Sequence, residues 1–109
     1  MSGIALRILS AYTYWHNITR HIPKMRRYSL GIKIDSLFCN LIESVSRSQF
    51  TVKEERNTNI SVAITNNDVL KFLLYALFEL KSIEEKHFLE ISSRLDEVGR
   101  MLYGWKNKK

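Results

Sequence analysis

Residues 4–22, "IALRILSAYTYWHNITRHI", decide the fold. Their apolar positions Ile4, Ile8, Ala11, Trp15, Ile18 and Ile22 advance by steps of 4, 3, 4, 3 and 4. That alternation keeps one stripe on one side of a helix, as in a heptad seam, and predicts a helix of about 19 residues. Such a seam has to be buried against other helices. The next stretch, "HIPKMRRYSLG" (21–31), holds the only proline of the chain and three cations, Lys24, Arg26 and Arg27, with no acid. Pro23 disfavours helical geometry at Ile22 but suits the first turn of a new helix, so the chain is expected to turn here.

Beyond the turn, Leu30, Ile34, Leu37 and Leu41 form a second seam, flanked by Phe38, Ile42 and Val45, on a helix ending near Arg47 to Gln49. The third helix is harder to read. Thr51 and Glu54 have capping-box spacing and suggest a start near Val52. Yet "NTNISVAITNN" (57–67) is rich in β-branched and turn-forming residues, and Ile60, Val62 and Ile64 alternate as in a strand. A helical register runs through Val62, Asn66, Val69, Leu73, Ala76, Leu80 and Ile83, with Asn66 interrupting the seam; a start at Asn67 is the alternative. A second capping-box pair, Ser82 and Glu85, announces a reversal into a fourth helix with the seam Phe88, Ile91, Leu95, Val98, Leu102 and Trp105. Four seams joined by short connections specify an all-α, antiparallel up-down-up-down four-helix bundle, a single domain over residues 1–109. Apolar surface beyond the seams (Leu9, Tyr12, Leu70, Leu74, Leu77, Phe78, Leu89 and Met101) suggests either a broad core face or an interface between copies of the chain.

The formal net charge of +6 is unevenly spread. Residues 1–34 carry six cations and no acid, residues 35–97 seven cations against eleven acids, and residues 98–109 four cations and none. In the bundle topology the turn at 21–31 lies at one end, and the tail 104–109 at the other beside Arg7. The basic surface is then two poles, or a stripe along the first two helices if Arg20 and Lys33 point outward. Concentrated positive surface fits an acidic partner. Tyr14 and Tyr28 are free to stack on bases, whereas Trp15 and Trp105 belong to seams.

No catalytic or metal constellation is found. His16 and His21 are five apart and so are separated on a helix, and His87 stands without metal-ligand spacing. Cys39 reads as a small core or interface residue, and one cysteine allows no internal disulfide, which fits a reducing cytoplasm. No glycine loop cradles a phosphate. Gly31 and Gly99 fall on helical patterns, where each costs about 1 kcal/mol relative to alanine, and are expected to allow a neighbouring helix or subunit to approach closely, or simply to be tolerated. Neither a signal peptide nor a run of 18 apolar residues is recognised, and the heptad seam of the first helix is better used in a bundle than on a membrane, so no membrane partner is expected. Without a catalytic or metal constellation, neither a cofactor nor enzymatic activity is expected.

Two segments add a resemblance. "RRYSLGIKIDSL" (26–37) and "SRLDEVGRMLYGW" (93–105) resemble the accessory variability determinant proteins of diversity-generating retroelements, and more broadly the four-helix-bundle family encoded in ribosomal RNA intervening sequences. The likeness rests on Arg27, Leu30, Gly31, Ile34, Asp35 and Leu37 together with Leu95, Asp96, Glu97, Gly99, Arg100, Met101 and Trp105. It implies a homopentameric ring of bundles that binds RNA and DNA. Its partners would be the reverse transcriptase, the template RNA and the complementary DNA of mutagenic synthesis. The family's basic region carries over onto Arg26 and Arg27, and Lys24 and Lys33 join it from the charge pattern. Arg100 also matches, although Asp96 or Glu97 could pair with it. With Arg7, Arg20 and Lys106, these residues form the candidate nucleic-acid-binding set. A bundle of the same family serving only as a structural or interaction protein is the alternative.

Overall fold

A computed structural model describes residues 3–108; Lys109, counted above with the basic tail, lies outside them. Four long helices form a four-helix bundle: α1 (Gly3–Thr19), α3 (Leu30–Ser48), α4 (Lys53–Glu79) and α5 (Glu85–Lys106), with a single helical turn, α2 (Lys24–Arg27), between the first two. No strand occurs among the described residues. The 27 residues of α4 should span about 40 Å at 1.5 Å each, which accounts for the 43 Å long axis of a body 22 Å across. Around the bundle, α1 packs on α3, α3 on α4, α4 on α5 and α5 back on α1.

The seam of α1 is buried as its spacing predicts: Ile8, Ala11, Trp15, Ile18 and Ile22 have almost no exposed surface. Ile34, Phe38, Leu41 and Val45 of α3 and Ile91, Leu95, Val98 and Leu102 of α5 complete the same core. Trp15 stacks against Phe38 at 6.4 Å and Tyr12 meets Phe38 at 5.2 Å, so an aromatic cluster ties α1 to α3. Ser44 and Ser48 are also buried, and the Ser48 hydroxyl spends itself on the Ser44 carbonyl at 2.8 Å.

Helix α4 departs from the expected register. It starts at Lys53, in agreement with a start near Val52 and against one at Asn67. Its buried face, however, is Ile60, Ala63, Asn67, Leu70, Leu74 and Leu77, while Val62, Val69 and Leu80 are exposed. Two apolar stripes share this helix, and the one richer in leucine is buried; the other is left on the surface. Leu70, Leu74 and Leu77, read from sequence as surplus, are therefore core. The strand-like alternation of Ile60, Val62 and Ile64 yields to burial of Ile60 and Ile64 on a helical face, since packing outweighs the small helical penalty of β-branched residues. By length and composition α4 could also cross a membrane, a test that core helices pass as well.

The polar residue in the buried seam is Asn67, not Asn66. Its Nδ2 donates to the Leu95 carbonyl at 3.1 Å, and a Cβ on Gly99 would stand 3.2 Å from that nitrogen. Gly99 thus permits a close approach, as its position suggested. A Cβ on Gly31 would meet the Arg26 carbonyl at 3.4 Å, an ordinary contact.

Neither capping box forms. Val52 and Glu84 occupy the N-cap positions of α4 and α5, and Pro23 and Ser29 those of α2 and α3, all without a side-chain cap hydrogen bond. Thr51 Oγ1 is instead buried without a partner. The C-terminus of α4 is better closed. Lys81 adopts φ 57°, its N–H bonds to the Phe78 carbonyl, and the Ser82 N–H reaches the Leu77 carbonyl at 2.8 Å. This is the Schellman arrangement, in which glycine is the favoured residue at the left-handed position. Lys81→Gly is expected to raise stability by about 0.5–1 kcal/mol by relieving that conformation. A lower urea midpoint for the variant would count against this account.

Candidate functional site

The cations singled out from the sequence fall into two groups. At one end, where α1 runs through α2 into α3, stand Arg20, Lys24, Arg26 and Arg27, with Lys33 one turn into α3. Pro23 positions this corner: Arg26 and Arg27 donate backbone N–H groups to its carbonyl, closing the turn that carries all three cations of α2. The Arg27 guanidinium is half-buried, and its Nη2 donates to the Ile22 carbonyl at 3.2 Å, while its Nε is buried without a partner. Arg20 is exposed and folds its Nε back onto the Asn17 carbonyl at 3.1 Å. Lys24 hovers 5.9 Å from the Tyr28 ring.

At the other end, Lys106 and Lys108 are exposed, and Lys108 shares a depression with Gly3, Ile4, Gln49, Met101 and Trp105. That depression joins the start of α1 to the end of α5, as the topology required. Arg100 is exposed on α5 and makes no ion pair among the described residues. Its expected partners are otherwise engaged: Asp96 with Lys71, and Glu97 with Arg7 at 3.3 Å. Arg7 is therefore the one member of the candidate set whose charge is matched by a carboxylate among the described residues. It lies on the α1–α5 seam and is the weakest candidate of the set.

The aromatic residues divide differently from their sequence reading. Tyr14 is not free: Arg94 lies over its ring at 4.6 Å and His87 approaches its edge at 6.2 Å. Tyr28 is 63% exposed and faces solvent beside the cationic turn. Tyr12 donates from its hydroxyl to Asp35 at 2.9 Å. Burial first, and then the Asp35 carboxylate, hold its pKa well above that of an ordinary phenol, so it stays a neutral donor. Asp35 is the first acid of the chain, and this bond fixes it at the edge of the basic corner.

Two features were missed from the sequence. His21 and His87, 66 positions apart, stack at 6.1 Å in a depression lined by Pro23, Phe78 and Glu84. No cluster of three or more His, Cys, Asp or Glu residues able to hold a metal occurs among the described residues. Cys39 is exposed on α3, which removes the core from its two readings and leaves the interface. The second missed feature is concavity. Depressions run between the end of α1 and the α2–α3 corner, one lined by His16, Asn17, Thr19, Arg20 and Arg27, the other reaching Tyr28, Ile32 and Asp35.

The corner therefore offers unmatched cations, one exposed aromatic ring and hydrogen-bonding groups around a shallow groove. This arrangement can hold phosphate and stack a planar ring. A family model described as bAvd-like matches residues 4–109. No curated protein and no solved structure shows a significant match.

Proposed function

The chain belongs to the bAvd-like family, that of the bacterial accessory variability determinants, and from that premise we propose that it is a non-catalytic, nucleic-acid-binding subunit of a diversity-generating retroelement. In this reading it acts in the cytoplasm, associates with the reverse transcriptase and its template RNA, and supports mutagenic synthesis of complementary DNA. The polymerase chemistry belongs to the partner. One observation carries the binding role: among the described residues, Arg20, Lys24, Arg26, Arg27 and Lys33 make no ion pair, whereas Arg7, Arg47, Lys71, Lys86 and Arg94 are matched by carboxylates. Cations left unmatched at one corner are available to phosphate. Arg100 and Lys106 extend the positive surface toward the other end.

The bundle is read as antiparallel up-down-up-down. Contacts between α1 and α5 support this, for Arg7 meets Glu97, Ser10 meets Arg94 and Tyr14 meets His87, one number rising as the other falls. A homopentameric ring is what the family resemblance implies, and association between copies is supported by the spare stripe of α4. Val62, Val69, Phe72 and Tyr75 are exposed there, Phe72 by 72%, with Leu89 of α5 also exposed. Large apolar side chains grouped on one helix mark an interaction surface, and α4 serves the bundle rather than a membrane. Native mass spectrometry is expected to show a five-subunit mass. A monomer at micromolar concentration would remove the ring.

Charge reversal tests the binding role. Arg20→Glu combined with Lys24→Glu and Arg26→Glu is expected to weaken affinity for a single-stranded RNA of about 20 nucleotides by tenfold or more at moderate salt. It should also flatten the dependence on salt by about two units in the log–log slope. Arg27 is spared because it anchors the Ile22 carbonyl. Unchanged affinity and slope in a folded protein of unchanged native mass would overturn the assignment.

A further inference from the structure

The two depressions at the basic corner adjoin. Both are lined by His16, Thr19 and Arg27, so they are two halves of one groove, of about 440 Å³ and 320 Å³. Each is within the range of small-ligand sites, about 300–1,000 Å³. Their linings differ in chemistry. The first is polar and basic, with Arg20, Arg27 and Asn17. The second is mainly apolar, with Trp15, Tyr28 and Ile32, and ends at the carboxylate of Asp35.

Resting on the nucleic-acid reading above, we infer that this groove takes one unpaired nucleotide of a single strand, with its phosphate in the basic half and its base in the apolar half. The polarity follows from the charges. A phosphate at the Asp35 end would meet a carboxylate, whereas at the Arg20 end it meets two guanidinium groups. The Arg27 Nε, buried without an acceptor, is the kind of donor that a phosphate oxygen satisfies after a small side-chain rotation. At the other end, Tyr28 presents an exposed ring on which a base can stack. Lys24 stands over that ring at the outer limit of a cation–π contact, and yields its place easily. Asp35 accepts the Tyr12 hydroxyl through Oδ1, and its carboxylate is an acceptor in the lining of the apolar half. The acceptor favours a base carrying an exocyclic amino group.

A duplex cannot use this groove. Its bases are stacked inward and paired, so it could reach the corner with phosphates alone. The groove thus converts a sequence-neutral positive corner into one that selects unpaired strands.

The test uses the full-length protein and a single-stranded 12-mer carrying one 2-aminopurine, against a hairpin that holds the same bases in a duplex. The single strand is expected to bind at least about tenfold more tightly, with a change in 2-aminopurine fluorescence. Tyr28→Ala, at an exposed position that leaves the fold intact, should abolish that change and cost about tenfold in affinity for the single strand, with no loss for the hairpin. Equal affinity for the two forms, or a Tyr28→Ala variant that binds and fluoresces as the parent does, would overturn the groove assignment while leaving the basic corner in place. Absence of salt-sensitive binding to either form would overturn both readings.

Discussion

Phe38→Ala is expected to lower the stability of the fold by about 3–5 kcal/mol. Phe38 is fully buried at the middle of α3, and it touches the rings of Tyr12 and Trp15. Its removal leaves a cavity that two helices cannot close, because Trp15 is itself held in the core. The aromatic contacts contribute about 0.5–1.5 kcal/mol beyond the buried area. A domain of this size has about 5–15 kcal/mol in all, so the variant should have a much lower urea midpoint. Phe38→Leu keeps most of the volume and should recover the greater part. If Phe38→Ala unfolded within about 1 kcal/mol of the parent, the aromatic cluster would not be the centre of the core.

Gly99→Leu is expected to cost about 2–4 kcal/mol, whereas Gly99→Ala should be close to neutral. With alanine, a Cβ at 3.2 Å from Asn67 Nδ2 asks for a shift of a few tenths of an ångström, and a helix-propensity gain of about 1 kcal/mol offsets it. A leucine side chain has further to go, and Asn67 is buried in its way. The amide must give up its bond to the Leu95 carbonyl, which leaves a buried donor unpaired. Asn67→Ala should therefore cost less in the Gly99→Leu background than alone, with a coupling above about 1 kcal/mol in a double-mutant cycle. Strict additivity would show that the two residues do not sense each other.

The helices that the sequence made legible are those with one apolar stripe. In α1 and α5 the middle of each seam is the buried face because no rival face competes for the core. In α3 the face turns toward the flanking residues, so that Phe38 and Val45 are buried with Ile34 and Leu41 while Leu30 and Leu37 are half-buried. In α4 the stripe of Val62, Val69 and Leu80 has the same helical spacing as the leucine-richer stripe of Ala63, Leu70, Leu74 and Leu77, and periodicity by itself has no means of choosing between them. The buried register sets Asn67 against Leu95 and Gly99, more than 25 positions away, a match that no single segment displays. The candidate site divides in the same manner. Its cations were readable from composition alone. Their pairing was not, since Arg7 finds Glu97 across 90 residues while Arg100, close in sequence to two acids, finds neither. Tyr14 and Tyr28 looked alike until Arg94 and His87 claimed the first. The groove itself belongs to no segment, being made where the end of α1 meets the α2–α3 corner.

The uncapped helix starts have a consequence for how the molecule breathes. With no side-chain cap at the starts of α2, α3, α4 or α5, the terminal turns are closed by backbone bonds alone, as where Arg26 and Arg27 share the Pro23 carbonyl, and they open at far lower free energy than the buried middle. The basic corner is built from two such starts, α2 and α3. A strand that settles there meets a segment able to rearrange without disturbing the core, and part of the binding energy is spent in quieting it. Hydrogen exchange at residues 23–32 would then slow on binding while the already protected middle of α3 stayed unchanged, so occupancy would be recorded as local order rather than as a change of shape.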